Sequence, residues 1–264
     1  MGTFLSQKKI YEFSVSDILL LDRCKKALAF KLDGKKVRFN YEKYSYTGML
    51  LHKVLKKFAD CFNKNLFNDY KDKTFSEIHK SIDQQLYQLL FAEIDNDKNS
   101  SLDIISNYLE YFGVYFAKIV EKNKNNLQDI FVFSEKPFKF YLTDRVIVKG
   151  RLDVIINDRG SLKIIDYKTG KGNFEKDSFQ IALYYKGVKE NFNIETHPML
   201  IYFEEQGIKE ETYSPEEIET IVNIVEKLTN SFIEEYESHK VPKTTRTEEC
   251  NFCSMKGYPS CRFT

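Results

Sequence analysis

Two aspartates and a lysine in the middle of the chain form the pattern with the clearest chemical potential. Asp166 follows Asp153 by thirteen residues, and Lys168 lies two residues further on. Carboxylate oxygens are preferred ligands of Mg²⁺ and Mn²⁺, and a nearby ammonium group can orient a water molecule or stabilise charge on a phosphate. The three residues therefore predict a metal-dependent site that cleaves phosphodiester bonds.

The segments around these residues predict a β-hairpin that brings them together. Residues 152–156 and 162–168 are rich in Val, Ile and Tyr, and residues 157–160 between them favour a turn. Asp153 and Asp166 are nearly equidistant from the turn and should lie opposite each other, with Lys168 on the face of Asp166. A solvated strand face with an ion pair is the alternative. Because apolar runs flank both aspartates, an unpaired charge there would be costly, and a metal site is the better interpretation.

Three short motifs resemble those of the PD-(D/E)XK nuclease superfamily. The sequence GRLD at 150–153 is similar to the second motif, DYK at 166–168 to the third, and QIALY at 180–184 to the QxxxY motif of the RecB-like branch. The resemblance implies an α/β, restriction-endonuclease-like core with a central mixed β-sheet flanked by helices. It also implies that Gln180 and Tyr184 contact the nucleic-acid backbone.

The same resemblance adds candidate metal ligands. A lone histidine on a helix is usually an ordinary surface or core residue, but the family pattern implies that His52 gives a nitrogen ligand to the catalytic metal. The ligand set for Mn²⁺ or Mg²⁺ would also include Asp153, Asp166 and the Tyr167 carbonyl. Glu135 matches the family's upstream acid, which helps bind a second metal or positions the nucleic acid. A surface glutamate on an edge strand is an equally good interpretation of Glu135.

Four of the five cysteines lie near the ends of the chain. Cys24 is N-terminal, and Cys250, Cys253 and Cys261 are grouped at the C-terminus. The residues alone allow zinc, a disulfide or an iron–sulfur cluster. Cysteines that bracket the nuclease motifs in this way resemble the iron–sulfur staple of Cas4, AddB and Dna2 nucleases, which implies a [4Fe–4S] cluster held by these four residues. Cys61 lies on a helical apolar stripe and is expected to be a buried core thiol.

Composition restricts the possible classes of protein. The chain has 264 residues, of which 42% are hydrophobic, so it can build a substantial core. No apolar run approaches the roughly 20 residues that span a bilayer, and no signal peptide is recognisable. We therefore expect a cytoplasmic protein without a membrane partner. The net charge of +1 excludes a global basic field, although basic clusters could line a nucleic-acid groove.

The elements that must position the site are predicted in the order helical, mixed, helical. We expect residues 1–264 to form a single nuclease domain, with a helical accessory layer at 45–128 and a core at 129–213 that holds a sheet of about four or five strands. Apolar periodicity and capping residues predict helices near 14–30, 46–63, 74–90, 102–119, 179–188 and 214–232. Alternating and β-branched segments predict further strands at 130–133, 138–142, 145–149, 199–203 and 208–213.

Taken together, the motifs predict a metal-dependent DNA nuclease. We expect it to bind single-stranded DNA and to degrade it as an exonuclease. One alternative is a Cas4-type factor of CRISPR adaptation that trims spacer precursors with integrase subunits. Another is the nuclease subunit of a helicase–nuclease repair complex, whose motor would be a separate chain because this one has no Walker motif. A non-catalytic DNA-binding or redox-sensing protein is the third alternative.

Overall fold

The computed structural model describes residues 9–39, 42–65, 70–94, 102–124, 126–170, 172, 174–241, 248–256 and 261. The strands are β1 (Tyr11–Ser14), β2 (Phe131–Ser134), β3 (Pro137–Thr143), β4 (Val146–Arg151), β5 (Val154–Asp158), β6 (Ser161–Thr169), β7 (His197–Glu204) and β8 (Gly207–Thr212). The helices are α1 (Val15–Ile18), α2 (Leu20–Arg23), α3 (Lys25–Leu32), α4 (Glu42–Asn65), α5 (Phe75–Glu93), α6 (Leu102–Lys122), α7 (Phe174–Phe192) and α8 (Pro215–Glu237).

Within the described residues the strands form two sheets, where the sequence predicted one. The larger sheet has the order β2-β5-β6-β7-β8 and is mixed, because β6 and β7 are parallel while its other pairs are antiparallel. The smaller sheet has the order β1-β4-β3, with β1 parallel to β4. The prediction missed β1 because a strand of four residues is too short for a clear alternation, and its partner β4 is distant in sequence.

The larger sheet lies between two layers of helices. Along β7, Met199, Ile201 and Phe203 belong to the core formed with α4, α5 and α6, whereas Leu200 and Tyr202 belong to the core formed with α7 and α8. Alternate side chains of a strand point to opposite faces, so a strand buried on both faces is almost continuously apolar. This arrangement confirms the predicted α/β fold class, with a central mixed sheet flanked by helices.

Capping residues fix where two of the long helices begin. Thr74 and Glu77 form the predicted reciprocal capping box at the start of α5. Ser214 and Glu217 form another at the start of α8, where Pro215 occupies the first turn. Among the described residues, no helix combines the length and the apolar character needed to cross a membrane.

The predicted helix at 14–30 is wrong as a single element. The chain instead forms α1, α2 and α3, and the break between α2 and α3 falls at Cys24. Cys24 has φ −164° and ψ 88°, which ends one helix, and its sulfur accepts a hydrogen bond from the Ala27 N–H at the start of the next. The apolar periodicity continues across the break because all three short helices contribute residues to the same core.

The expectation that Cys61 is a buried core thiol is also wrong. Val54, Phe58 and Phe62 of the same helix are fully buried, whereas Cys61 is exposed. Position 61 immediately precedes Phe62, so the turn of the helix directs the Cys61 side chain away from the stripe that packs against the sheet. Cys61 therefore offers an accessible thiol that takes no part in the core.

Candidate active site

The hairpin that carries the two aspartates has the predicted pairing. In the antiparallel pair of β5 and β6, Val154 lies opposite Ile165. Asp153 immediately precedes β5, so it lies opposite Asp166. The Asp153 Oδ2 atom accepts a hydrogen bond from the backbone N–H of Tyr167 at 3.0 Å. This bond fixes the Asp153 carboxylate against the neighbouring strand.

Asp166 and Lys168 form a largely buried ion pair. Their side chains lie on the α7 side of β6, opposite to that of Tyr167. Lys168 Nζ is 2.6 Å from Asp166 Oδ2, and Asp166 is only 1% exposed. Burial raises the pKa of Asp166 to about 6 although Lys168 opposes this shift. Burial lowers the pKa of Lys168, but the Asp166 carboxylate outweighs that effect and the pKa is raised. The pair is therefore ionised at neutral pH.

Gln180 and Tyr184 of α7 extend this ion pair into a network. Lys168 Nζ donates a hydrogen bond to Gln180 Oε1 at 2.7 Å. The Gln180 amide nitrogen donates to Asp166 Oδ1 at 2.9 Å and to the Tyr184 hydroxyl at 2.8 Å. Both amide hydrogens are thus used inside the protein. This geometry favours a role in positioning Lys168, and the predicted contact with nucleic acid stays a prediction.

His52 reaches the hairpin from α4. Its Nε2 atom lies 2.9 Å from the Tyr167 carbonyl oxygen, and its Nδ1 atom lies 3.3 Å from Asp153 Oδ2. Burial lowers the pKa of His52, but the carboxylates of Asp153 and Asp166 outweigh it and raise the pKa to about 9. The carboxylates thus favour a positive charge at the imidazole, and a bound metal ion would compete with that proton.

Glu135 completes a group of possible metal ligands. One ligand atom from each of His52, Glu135 and Asp153 lies within 4.8 Å of the other two, and we call these residues the three-ligand group. Glu135 follows β2 with φ 49°, an uncommon conformation for a residue other than glycine, and its N–H donates to the Asp153 carbonyl at 2.8 Å. Backbone strain of this kind is concentrated at functional sites.

The donor atoms of the site fit a hard divalent cation. The three-ligand group and Tyr167 line a cavity of about 10 Å³. Next to it lies the buried Asp166 Oδ2 atom, which contacts the Lys168 ammonium at 2.6 Å. Carboxylate and carbonyl oxygens suit Mg²⁺ and Mn²⁺, and the imidazole nitrogen favours Mn²⁺. The residues present therefore fit the predicted metal.

Comparison with known proteins identifies the family. The family model of the PD-(D/E)XK nuclease superfamily matches residues 12–261. The chain belongs to this superfamily. The PD-(D/E)XK superfamily is a family of nucleases that use divalent metal ions, and the three-ligand group offers donors for such an ion. The prediction of a metal-dependent nuclease is confirmed at this level.

Individual relatives of this PD-(D/E)XK nuclease are distant. The chain is 28% identical over 126 residues to the Gene 69 protein of Mycobacterium phage L5, a match that covers 46% of this chain and 42% of that relative. A crystal structure of SSO0001 aligns with a TM-score of 0.40 and 15% identity over 96% of this chain and 87% of that one. A candidate exonuclease from Eubacterium rectale aligns with a TM-score of 0.48 and 12% identity over 91% and 86%.

Two cations at the site of the PD-(D/E)XK nuclease were not predicted from the sequence. Lys56 lines the same cavity as the three-ligand group, one helical turn after His52 on α4. Arg151 has a guanidinium nitrogen 3.5 Å from Glu135 Oε2, and its side chain is 63% exposed. The i, i+4 spacing from His52 was the available signal for Lys56. Both cations therefore lie beside the three-ligand group.

The cysteines of the nuclease come from opposite ends of the chain. Cys253 forms an isolated antiparallel bridge with Phe39. Burial raises the pKa of the Cys253 and Cys261 thiols, and the thiols of Cys24 and Cys250 raise both further. The four thiols are therefore near enough to interact electrostatically. Within the described residues, however, no three cysteine sulfurs lie within 4.8 Å of one another.

The Gln180→Ala variant tests the network around Lys168. We expect its cleavage rate at saturating DNA to fall at least about tenfold, because the Lys168 ammonium loses one of the two acceptors that orient it. The affinity for DNA should stay within about twofold of the parent, because neither amide hydrogen is available to DNA. Single-turnover cleavage and fluorescence anisotropy measure the two effects. Gln84→Ala, at an exposed position of α5, is the matched control. Weaker DNA binding with an unchanged rate would instead support a contact with the backbone.

Proposed function

We propose that this nuclease is a metal-dependent exonuclease of the RecB-like branch that acts on single-stranded DNA and carries a [4Fe–4S] cluster. The observation that carries the proposal is the three-ligand group beside the buried pair of Asp166 and Lys168. These side chains come from α4, the end of β2 and the β5–β6 hairpin, which are distant in sequence. A shared metal ion explains why ligand-type side chains from three elements meet at one point.

The roles of the site residues follow from their placement. The three-ligand group and the Tyr167 carbonyl would hold Mn²⁺ or Mg²⁺, with Asp166 Oδ2 as a further oxygen ligand. When bound, the ion would lower the pKa of a water molecule and neutralise charge on the phosphate. Lys168, held by Asp166 and Gln180, would orient the attacking water and stabilise the negative charge that develops on the phosphate.

The shape of the site supports a flexible strand as the substrate. The metal cavity is small and lies between α4 and the edge of the hairpin, so the phosphate must enter a recess. A single strand can bend a phosphate into such a recess more easily than a stiff duplex can. Lys56 and Arg151 would contact phosphates next to the one that is cleaved.

The positions of the cysteines support the cluster. Four thiols from the two ends of the chain are near enough to influence one another, as Cys₄ ligation of a [4Fe–4S] cluster requires. A single tetrahedral zinc ion with Zn–S bonds of about 2.3 Å would hold its sulfurs roughly 3.8 Å apart. No three of the described cysteine sulfurs lie within 4.8 Å of one another, which does not match a zinc site and leaves room for a larger cluster.

Metal-dependent cleavage of labelled strands tests the proposed activity. We expect anaerobically purified protein to degrade single strands in Mn²⁺ or Mg²⁺ from an end, to act slowly on blunt duplexes, and to lose activity in EDTA. Strands labelled at the 5′ or the 3′ end show the direction of degradation. A circular single strand should be resistant. Activity that persists in the chelator, or that cuts the circle equally fast, would contradict the proposal.

The His52→Ala variant tests the nitrogen ligand. We expect the Mn²⁺ concentration for half-maximal activity to rise at least about tenfold, since one ligand is lost. His197→Ala, at the exposed start of β7, is the matched control and should leave the metal requirement unchanged. Isothermal titration with Mn²⁺ checks the same effect without DNA. Unchanged Mn²⁺ affinity in His52→Ala would remove His52 from the ligand set.

A further inference from the structure

A second cavity adjoins the candidate active site. It has a volume of about 590 Å³, which is within the range of about 300–1,000 Å³ typical of small-ligand sites. It lies between α4, α6, the end of β6 and the turn from β7 to β8. Its lining includes Thr47, Ile104, Tyr108, Thr169, Glu204 and Glu205.

The cavity lies next to the metal site, and α4 and β6 contribute residues to both. Thr169 lines it and directly follows Lys168 on β6. Thr47 lines it from α4 and precedes His52 by five residues, which corresponds to about 7.5 Å along the helix axis. Helix α4 and strand β6 approach closely here. A Cβ atom added at Gly48 would lie only 3.1 Å from Thr169 Oγ1. The cavity is therefore within reach of a nucleotide next to a phosphate held at the metal site.

The walls combine hydroxyl groups of largely buried residues with the carboxylates of two exposed glutamates. Tyr108 is 7% exposed and Thr47 is 9% exposed. The Tyr108 ring packs against Phe203 at a centroid distance of 5.5 Å, and Tyr108 lines the cavity. Burial raises the pKa of Tyr108, and the Glu205 carboxylate raises it further, so the hydroxyl remains a donor. Hydroxyl groups that line a cavity can donate hydrogen bonds to a ligand and accept hydrogen bonds from it.

We propose that this cavity binds one unpaired nucleobase of the strand whose phosphate lies at the metal site. The exposed carboxylates of Glu204 and Glu205 would repel a phosphate, whereas a neutral base offers N–H and C=O groups to both carboxylates and hydroxyls. A base can enter only when it is unpaired, so the cavity would make the enzyme select single strands at this position. The inference rests on the proposed nuclease function and deepens it.

Abasic residues in the substrate test the cavity without changing the protein. A set of single strands carries one abasic residue at successive positions around the cleaved bond. We expect binding to Lys168→Ala protein, measured by anisotropy, to weaken about tenfold at one position next to that bond and to change little elsewhere. Cleavage by the parent enzyme should slow at the same position. A uniform profile in the binding series overturns the cavity assignment.

The cleavage series and the binding series distinguish a failure of the proposed function from a failure of the cavity assignment. Absence of cleavage in every strand would contradict the proposed function, while the binding profile would still decide on the cavity. Tyr108→Phe provides the second test, with Tyr141→Phe at an exposed position of β3 as its control. Tyr108→Phe should weaken binding of the intact strand about fivefold and leave the strand with the sensitive abasic residue unaffected. Equal weakening of both strands would mean that the hydroxyl does not contact the base.

Ile104→Trp tests the opening of the cavity in the same way. Ile104 is 47% exposed on α6, so a larger side chain can be accommodated without changing the core. We expect the variant to change how much an abasic residue weakens binding, and to do so only at the sensitive position. Ile224→Trp on α8, where the isoleucine is 44% exposed, is the matched control. An abasic profile identical in Ile104→Trp and the parent would contradict the placement of the base.

Discussion

Replacing Lys168 with alanine is expected to reduce the cleavage rate by about 10²- to 10³-fold, because the positive charge that stabilises the transition state is lost. The fold should be retained. Asp166 already has a raised pKa, and without the ammonium it would bind a proton and remain buried as a neutral acid. DNA affinity should also be retained because Lys168 lies beneath the surface, with its side chain 20% exposed. Single-turnover cleavage, anisotropy and thermal unfolding measure the three properties.

Lys163→Ala is the matched control for this variant. Lys163 lies on the same strand, pairs with Asp158 at 2.8 Å and has a side chain that is 27% exposed. It lies at the turn end of the hairpin, so its loss should leave cleavage unchanged. Asp166→Ala should be as inactive as Lys168→Ala. Full activity in either Asp166→Ala or Lys168→Ala would overturn the assignment of the active site.

Replacing Cys24 with serine is expected to remove the iron and to lower Tm by about 10 °C, as estimated from the loop-closure contribution of long cross-links. The cluster would join Cys24 to the three C-terminal cysteines and would close most of the chain into one loop. Metal binding and folding are coupled in such a site. Anaerobically purified parent protein should be brown, absorb near about 400 nm and contain about four irons per chain.

Cys61→Ser is the control for the cysteine series. Cys61 is exposed, so its replacement should change neither the iron content nor Tm. Cys250→Ser, Cys253→Ser and Cys261→Ser should behave like Cys24→Ser. A Cys24→Ser protein with full iron and full stability would exclude the N-terminal cysteine as a ligand, and a colourless parent protein with bound zinc would exclude the cluster. The same series tests whether residues 1–264 unfold as a single unit, which stays a prediction.

The sequence by itself determined the chemistry of the hairpin. The turn at 157–160 separates two β-branched segments, and the period of two along a strand then places Asp153 opposite Asp166 and Lys168 on the face of Asp166. The spacing of four residues on a helix likewise placed Gln180 beside Tyr184. These relations are local, so residue type and spacing are enough to define them.

Tertiary structure alone decided which distant elements meet. His52 and Tyr167 are 115 positions apart, and no local pattern encodes the contact between α4 and β6 that brings them within 2.9 Å. The same holds for Glu135, whose N–H bonds to the Asp153 carbonyl, and for β1, which pairs with β4 to start a second sheet. The family resemblance anticipated His52 and Glu135, whereas nothing anticipated Lys56 or the cavity beside Thr169. Their positions depend on how helices pack over the sheet, which is set by the complementary shapes of two buried cores and not by any one segment.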